Sequence, residues 1–366
     1  MNHKEVMAWV LSVCQGCLRK SQAKTLSVLV VAALGIHHVS LAMLGRWLPG
    51  SAAVKHAIKR VWRFVDNRRV KIGPAMTGVI GALLQGVHGD LLVSFDWTDL
   101  GSYKVLMAAA CLKGRAIPLL WAVIPATQLE LQMTATEEAL LWQLRQLLPA
   151  GLRPVILADR GFAKTSLVRL CRRLGMGYLI RLNAELYVRA RRFQGSLARL
   201  PLKPGVRRFW REVTCRKRQG VVQNVVIYWQ RGLPERRNEP WFLATNLEGT
   251  PRELVALYGR RMEIEEFFRD GKNPRNGLGL RHLRVHRADR LERLLLIVAI
   301  AYILTCGVGL LATFVHGPAH WASANRAGQC SLWQIGRIML DRWPYLFREI
   351  LDALIACLHA SIPKWG

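Results

Sequence analysis

The chain has 366 residues, room for two or three domains, and 51% of them are hydrophobic, which supplies a core and excludes a disordered chain. Lys and Arg total 53 against 24 Asp and Glu, a formal charge of +29. Such an excess opposes compaction unless a polyanion meets it, so nucleic acid ranks first among partners and an anionic membrane surface second.

The opening stretch MNHKEVMAWV lacks the clean apolar run and cleavage site of a signal peptide. Residues 1–72 carry twelve Lys and Arg against Glu5 and Asp66, with helical periodicity. From Val54 to Val65 the spacing puts Val54, Ile58, Val61 and Val65 on one face, with Lys55, Lys59, Arg60 and Arg63 mostly elsewhere. Such a helix can lie on phosphates with its apolar stripe turned inward, and a solvated basic face gives the same pattern. Residues 1–85 are therefore read as a helical, basic, DNA-binding region. The eight cysteines suit a reduced cytosolic protein. Cys14 and Cys17 form a lone pair without a second pair at zinc-finger spacing. His282/His286 and His316/His320 have the spacing of metal ligands but no matching Glu or Cys, and are read as solvated or DNA-facing.

From about residue 90 the period becomes that of strands. Leu91–Phe95 is an apolar strand ending at Asp96, and Tyr103–Leu112 and Ala116–Ile124 follow, joined by a Lys113-Gly114 turn. Residues 129–148 return to helical spacing. Pro154–Ala158 is an apolar strand ending at Asp159, then come a helix at Lys164–Leu174 and a strand at Tyr178–Leu182. Three strands, a helix, a strand, a helix and a strand is the RNase-H-like order, so the fold class is α/β with an RNase-H-like catalytic core. Residues 86–183 form its first part. Residues 184–248, with 14 Lys and Arg against five Glu and β-type runs at Val221–Trp229 and Trp241–Thr245, read as a basic, β-rich insertion. Residues 249–315 complete the core, and 316–366 form a C-terminal helical region suited to dimerisation. Leu294–Val315 is 22 residues without a charge, a pattern shared by a membrane span and a buried core helix. The core helix is the reading adopted, with no membrane partner.

Thr250-Pro-Arg-Glu253 is a capping box with Pro in the first turn, so one helix is expected from there to Lys272, stopped by Asn273-Pro274. On one continuous helix Tyr258, Arg261, Glu265 and Lys272 fall within about 60° of one another, bordering an apolar face with Ile264 and Phe267. Glu263 and Asp270 point away from that stripe. A solvated charge pattern explains the stripe equally until Asp96 and Asp159 join it. Phosphodiester chemistry with two metals needs several carboxylates converging on the cations, and hard oxygen ligands suit Mg2+. Asp96, Asp159 and Glu265 are thus candidate catalytic residues and metal ligands for two Mg2+ ions, Mn2+ being able to substitute.

The same residues resemble a known family, the insertion-sequence transposases of family four, DDE enzymes with a Y-x2-R-x3-E-x6-K motif. Tyr258, Arg261, Glu265 and Lys272 match all its positions, and Phe95-Asp96-Trp97-Thr98, Ala158-Asp159-Arg160-Gly161-Phe162 and Trp241–Asn246 are similar to its other blocks. The resemblance spans roughly residues 50–310. It implies a cytoplasmic, nucleoid-associated DNA transposase that binds terminal inverted repeats, cleaves both strands through a DNA hairpin, and joins the freed 3′ end to target DNA. It further implies a homodimer in the synaptic complex, Tyr258, Arg261 and Lys272 on the DNA backbone, and Trp241 stacked on a flipped base. Trp97 is a second aromatic beside Asp96, with packing as its alternative role. An RNase-H-fold nuclease or resolvase without strand transfer, and a catalytically silent DNA-binding relative, are the competing readings.

Overall fold

The computed structural model describes residues 2–48, 50, 53–216, 220–232, 239–275, 277–321, 330–340 and 347–363. Lys217, Arg218, Glu235, Arg236 and Arg237 of the expected basic insertion lie outside them. The chain is mixed α/β and divides into two compact units. The first comprises Met1–Val87, Trp97–Ala150 and Glu263–Ser361, and the second His88–Asp96, Gly151–Met262 and Ile362–Gly366.

In chain order the first unit opens with α1 (His3–Val13), α2 (Lys20–Gly35), α3 (Leu41–Trp47), α4 (Val54–Asp66) and α5 (Ile72–Leu83). Asn2 caps α1 through its side chain, and Ser40 caps α3 by accepting from the Met43 amide at 3.1 Å. In α4 the inward face is Val61, Phe64 and Val65. The expected stripe holds at Val61 and Val65 but fails at Val54, which is 52% exposed among the described residues. Strand β1 (Gly89–Leu100) belongs to the second unit as far as Asp96 and to the first beyond it. In the first unit β2 (Tyr103–Leu112) and β3 (Arg115–Pro125) pair antiparallel from Tyr103↔Pro125 to Leu112↔Arg115. Their turn has φ 34° at Lys113 and 82° at Gly114, the left-handed pair that matches strand twist in a two-residue hairpin. The pairing shifts register between Ala108 and Ala109, opposite Pro118, whose missing N–H forbids a regular ladder.

Helix α6 (Leu129–Leu147) then buries Leu140, Leu141, Leu144 and Leu147. Next come β4 (Leu152–Ala158), α7 (Thr165–Arg173), β5 (Gly177–Arg181), β6 (Tyr187–Ala190), β7 (Phe193–Ser196), β8 (Arg207–Cys215), β9 (Val221–Tyr228), β10 (Trp241–Thr245) and α8 (Pro251–Gly259), all in the second unit. Their sheet runs β1-β4-β5-β10-β9-β8-β6-β7. The β1–β4 and β4–β5 pairs are parallel and every later pair is antiparallel. Buried parallel strands need apolar residues on both faces, which is why β4 and β5 read as continuous apolar runs.

The first unit closes with α9 (Glu263–Lys272), α10 (Ala288–His316), α11 (Leu332–Leu340) and α12 (Phe347–Ala360). Helix α10 is its axis. Among the described residues it is the helix long and apolar enough to span a membrane, and 94% of its most apolar window is buried inside the protein. Its polar start is used internally: Glu292 accepts the Val123 amide at 3.0 Å, and Arg293 donates to the Val65 carbonyl and to Asp289. Helices α10 and α11 meet on glycines. A Cβ on Gly309 would stand 1.9 Å from the Leu332 carbonyl oxygen, and one on Gly336 1.9 Å from that of Thr305. Val308, Leu311, Ala312, Ile335, Met339 and Ile350 fill the space between α10, α11 and α12.

The expected single helix from Thr250 to Lys272 does not form. The capping box holds, with the Thr250 amide donating to Glu253 at 2.8 Å and the Glu253 amide to the Thr250 hydroxyl at 3.3 Å. Helix α8 nevertheless ends at Gly259, a 3-10 turn spans Arg260–Met262, and α9 starts at Glu263. Glycine costs a helix interior about 1 kcal/mol, and the break falls directly after Gly259. The stop at Asn273-Pro274 is as expected.

Candidate active site

Strands β1 and β4 hold the first two acids together. Their parallel register ends on Phe95↔Ala158, and the next residues are Asp96 and Asp159. Neighbouring strands lie about 4.8 Å apart, so the two carboxylates project from adjacent positions. Asp159 is oriented by the turn that follows. Its Oδ1 accepts the Gly161 amide at 2.8 Å, capping the 3-10 turn Arg160–Phe162, while the buried Phe162 ring meets Phe95 edge-on at 5.2 Å. A side chain at position 161 would crowd that carboxylate, since a Cβ there stands 3.1 Å from Oδ1. The Asp-Arg-Gly-Phe string is therefore a carboxylate holder.

The 3-10 turn after α8 delivers the arginine. Arg261 donates from Nη1 to Asp96 Oδ2 at 3.2 Å, the side chains being 13% and 19% exposed. Tyr258 is 4% exposed, and its ring meets Trp241 edge-on at 5.5 Å. Burial pushes the Tyr258 hydroxyl up despite the pull of Arg261 and Arg181, so it stays protonated and can donate. The Arg181 guanidinium lies 5.3 Å from the Trp241 ring centre. Arg181 was missed in the sequence; an arginine closing an otherwise apolar strand was its signal.

Asp96, Asp159, Tyr258, Arg261 and Trp241 thus gather in the second unit. Glu265 and Lys272 belong to the first, on α9, where they line a cleft of about 580 Å3 with Thr98, Arg269, Arg275 and Arg281. The expectation of one helical stripe joining Tyr258, Arg261, Glu265 and Lys272 is corrected by the break at Arg260–Met262: a 3-10 turn advances about 120° per residue, so a continuous 100° count does not cross it. Asp270 does point away, toward Tyr302 and Arg115. Trp97 donates from Nε1 to Glu137 at 3.1 Å, a 1%-exposed acid that sequence reading passed over. His316 stacks on His320 at 4.9 Å and borders Trp321, so that pair is engaged with a neighbouring ring. The side chain of His282 lies outside the described residues.

The paired carboxylates offer the hard oxygen donors that a divalent cation of the Mg2+ type prefers. Among the described residues no group of three or more His, Cys, Asp or Glu is drawn up to hold a metal.

A family model described as a transposase DDE domain matches residues 122–304, half of the 366-residue chain. The chain belongs to that family: it is a DNA-cleaving, transposing enzyme of an insertion element. The matched span includes Asp159, Trp241, Tyr258, Arg261, Glu265 and Lys272, and Asp96 lies before it. Among curated proteins none matches the chain.

Proposed function

We propose that the enzyme is a Y-R-E-K transposase that binds the terminal inverted repeats of its element, cleaves both strands by way of a hairpin, and transfers the 3′ end to target DNA. The observation that carries this reading is the Phe95↔Ala158 register, which sets Asp96 beside Asp159, together with the motif's Arg261 reaching Asp96. The parallel β1–β4–β5 strands, with the β2–β3 hairpin between β1 and β4 in sequence, support an RNase-H-like core.

Asp96, Asp159 and Glu265 would hold two Mg2+ ions, whose chemistry there is to activate the attacking oxygen and steady the leaving one. The chain's other residues place the DNA. Arg261 can exchange Asp96 for a phosphate, gripping it with two parallel hydrogen bonds. Tyr258, kept protonated by burial, donates to the same phosphate. Trp241 offers a ring to a base withdrawn from the duplex. Two element ends are cut together in a homodimer, in the cytoplasm where the chromosome lies.

Asp96→Ala, Asp159→Ala and Glu265→Ala should each abolish cleavage of a labelled element end in Mg2+ while leaving DNA binding in place. Near-normal cleavage by any one of them removes that residue from the triad. Gel analysis for joined products distinguishes a transposase from a nuclease of the same fold: cleavage without joining would sink strand transfer.

A further inference from the structure

The β-rich part of the second unit carries a second cleft, which shares no lining residue with the acid site. It measures about 780 Å3 and lies among β6, β7 and β8. The β6–β7 turn supplies Arg191 and Arg192, and β8 supplies Arg208, Phe209 and Trp210, with Phe193 opposite. Between Trp210 and Val213 the β8–β9 pairing slips, and Glu212 takes a left-handed φ of 55°. Such a bulge bends a strand and re-aims its side chains, which opens the cleft.

Two kinds of side chain meet there. Arg191, Arg192 and Arg208 are exposed, and no carboxylate among the described residues pairs with them. Arg211 is already engaged, lying 5.2 Å over Phe209 and paired with Glu248 at 2.7 Å. The rings of Phe193 and Trp210 are half-buried, 6.0 Å apart and tilted by 42°. Glu212 also lines the cleft but forms no ion pair with these three among the described residues, so the guanidinium groups outnumber the acid, repel one another and favour an anion. Rings open to the same cleft call for a flat apolar surface. Duplex DNA offers the first and hides the second, because its base faces are stacked.

We propose that this cleft binds a single DNA strand, with Arg191, Arg192 and Arg208 on its phosphates and at least one unstacked base against Trp210 and Phe193. The proposal rests on the reading of the enzyme as one that opens DNA, and it adds a strand-holding site outside the acid site. Unpaired strand arises whenever an element end is nicked or hairpinned, and the cleft would keep it from re-pairing.

The test measures binding of the full chain to fluorescein-labelled oligothymidylate and to a duplex of equal length. Trp210→Ala should weaken the single strand about fivefold to a hundredfold, the worth of one stacked base, and leave the duplex unchanged. The combined Arg191→Ala/Arg192→Ala/Arg208→Ala chain should flatten log K against log salt for the single strand by about two, at roughly 0.7 per phosphate contact. Iododeoxyuridine placed in the oligonucleotide should cross-link to Trp210 or Phe193 in the unaltered chain. That measurement carries the test if Trp210→Ala fails to fold. Equal weakening of duplex and single strand, an unchanged salt slope, or cross-links confined to other residues would each overturn the proposal. Tighter binding of an equivalent uridylate would overturn the choice of DNA. The same titration on the Asp96→Ala chain separates the two readings: strand binding should persist without cleavage. Loss of the strand site would leave the acid site's own test standing.

Discussion

In the first unit Arg115 and Asp270 meet at 2.8 Å with side chains 12% and 9% exposed; in the second Arg261 and Asp96 meet at 3.2 Å, 13% and 19% exposed. The Arg115–Asp270 pair borders a cleft of about 400 Å3 but is tied to its neighbours: Asp270 also accepts from the Tyr302 hydroxyl at 2.9 Å, and Glu266 lies 3.4 Å from Arg115. Burial pushes Asp270 up and outweighs the pull of Arg115 and the Tyr302 hydroxyl. The Arg261–Asp96 pair stands where the parallel β1–β4 pairing ends, with Arg261 on a 3-10 turn and Asp159 at the adjacent strand position. Similar chemistry and similar burial therefore serve opposite ends. What separates them is the neighbourhood: Asp270 is bonded to Tyr302, whereas Asp96 follows directly on the β1–β4 register, next to the position of Asp159.

Removing Arg115 should have the largest effect. Arg115→Ala leaves Asp270 as an unpaired buried acid, a loss of about 3–5 kcal/mol that urea unfolding would register as a lower midpoint. An unmoved midpoint would break the comparison at its structural end. Arg261→Ala should do the reverse, with a small change in midpoint. Its cleavage should fall about ten- to a hundredfold, for a lost charge-assisted hydrogen bond of roughly 1.5–3 kcal/mol. Arg261→Lys should restore little, because an ammonium lacks the planar fork. A midpoint falling as far as that of Arg115→Ala would make Arg261 structural.

Trp241→Ala should spare the first nick and slow hairpin formation or opening about fivefold to a hundredfold, the range of one base–aromatic stack. Trp241 also touches Tyr258 and Arg181, so the alternative is concrete. Uniform slowing of every step with a lowered Tm would assign it to packing. The mildest effect concerns acid pH. Burial raises Asp289, but hydrogen bonds and charge from Arg287 and Arg293 outweigh it and bring it down to about 2. A depressed carboxyl stabilises the fold above its ordinary 3.8, and that contribution is lost as pH falls from there toward about 2. Asp270, being raised, has the opposite sign and loses stability as pH rises past its ordinary value. Unfolding midpoints of Asp289→Asn across the acid range should show a shallower fall than the unaltered chain. An identical slope would remove Asp289 from the acid limb.

Much of the local structure was legible because it depends on near neighbours. Lys113-Gly114 signalled its turn, Thr250 and Glu253 their cap, Asn273-Pro274 the end of α9, and the apolar runs before Asp96 and Asp159 their strands. The helix across Gly259 was misjudged because a 3.6-residue period assumes continuity. A single glycine weakens that continuity, and only the surroundings decide whether the helix breaks. Val54 was misjudged for a related reason: periodicity marks a face as apolar without saying how far along it the core extends.

By itself the sequence pointed to a polyanionic partner through its charge of +29, and marked the apolar runs before Asp96 and Asp159 as strands, although β1 runs on to Leu100. Those features are set by composition and by residues a few positions apart. Tertiary structure alone decided that the uncharged run of α10 lies inside a protein core, and that Arg181 reaches Trp241. It also decided that Arg261 faces Asp96 while Arg115 pairs with Asp270. Each of these depends on contacts between residues far apart in the chain, whose partners periodicity cannot name.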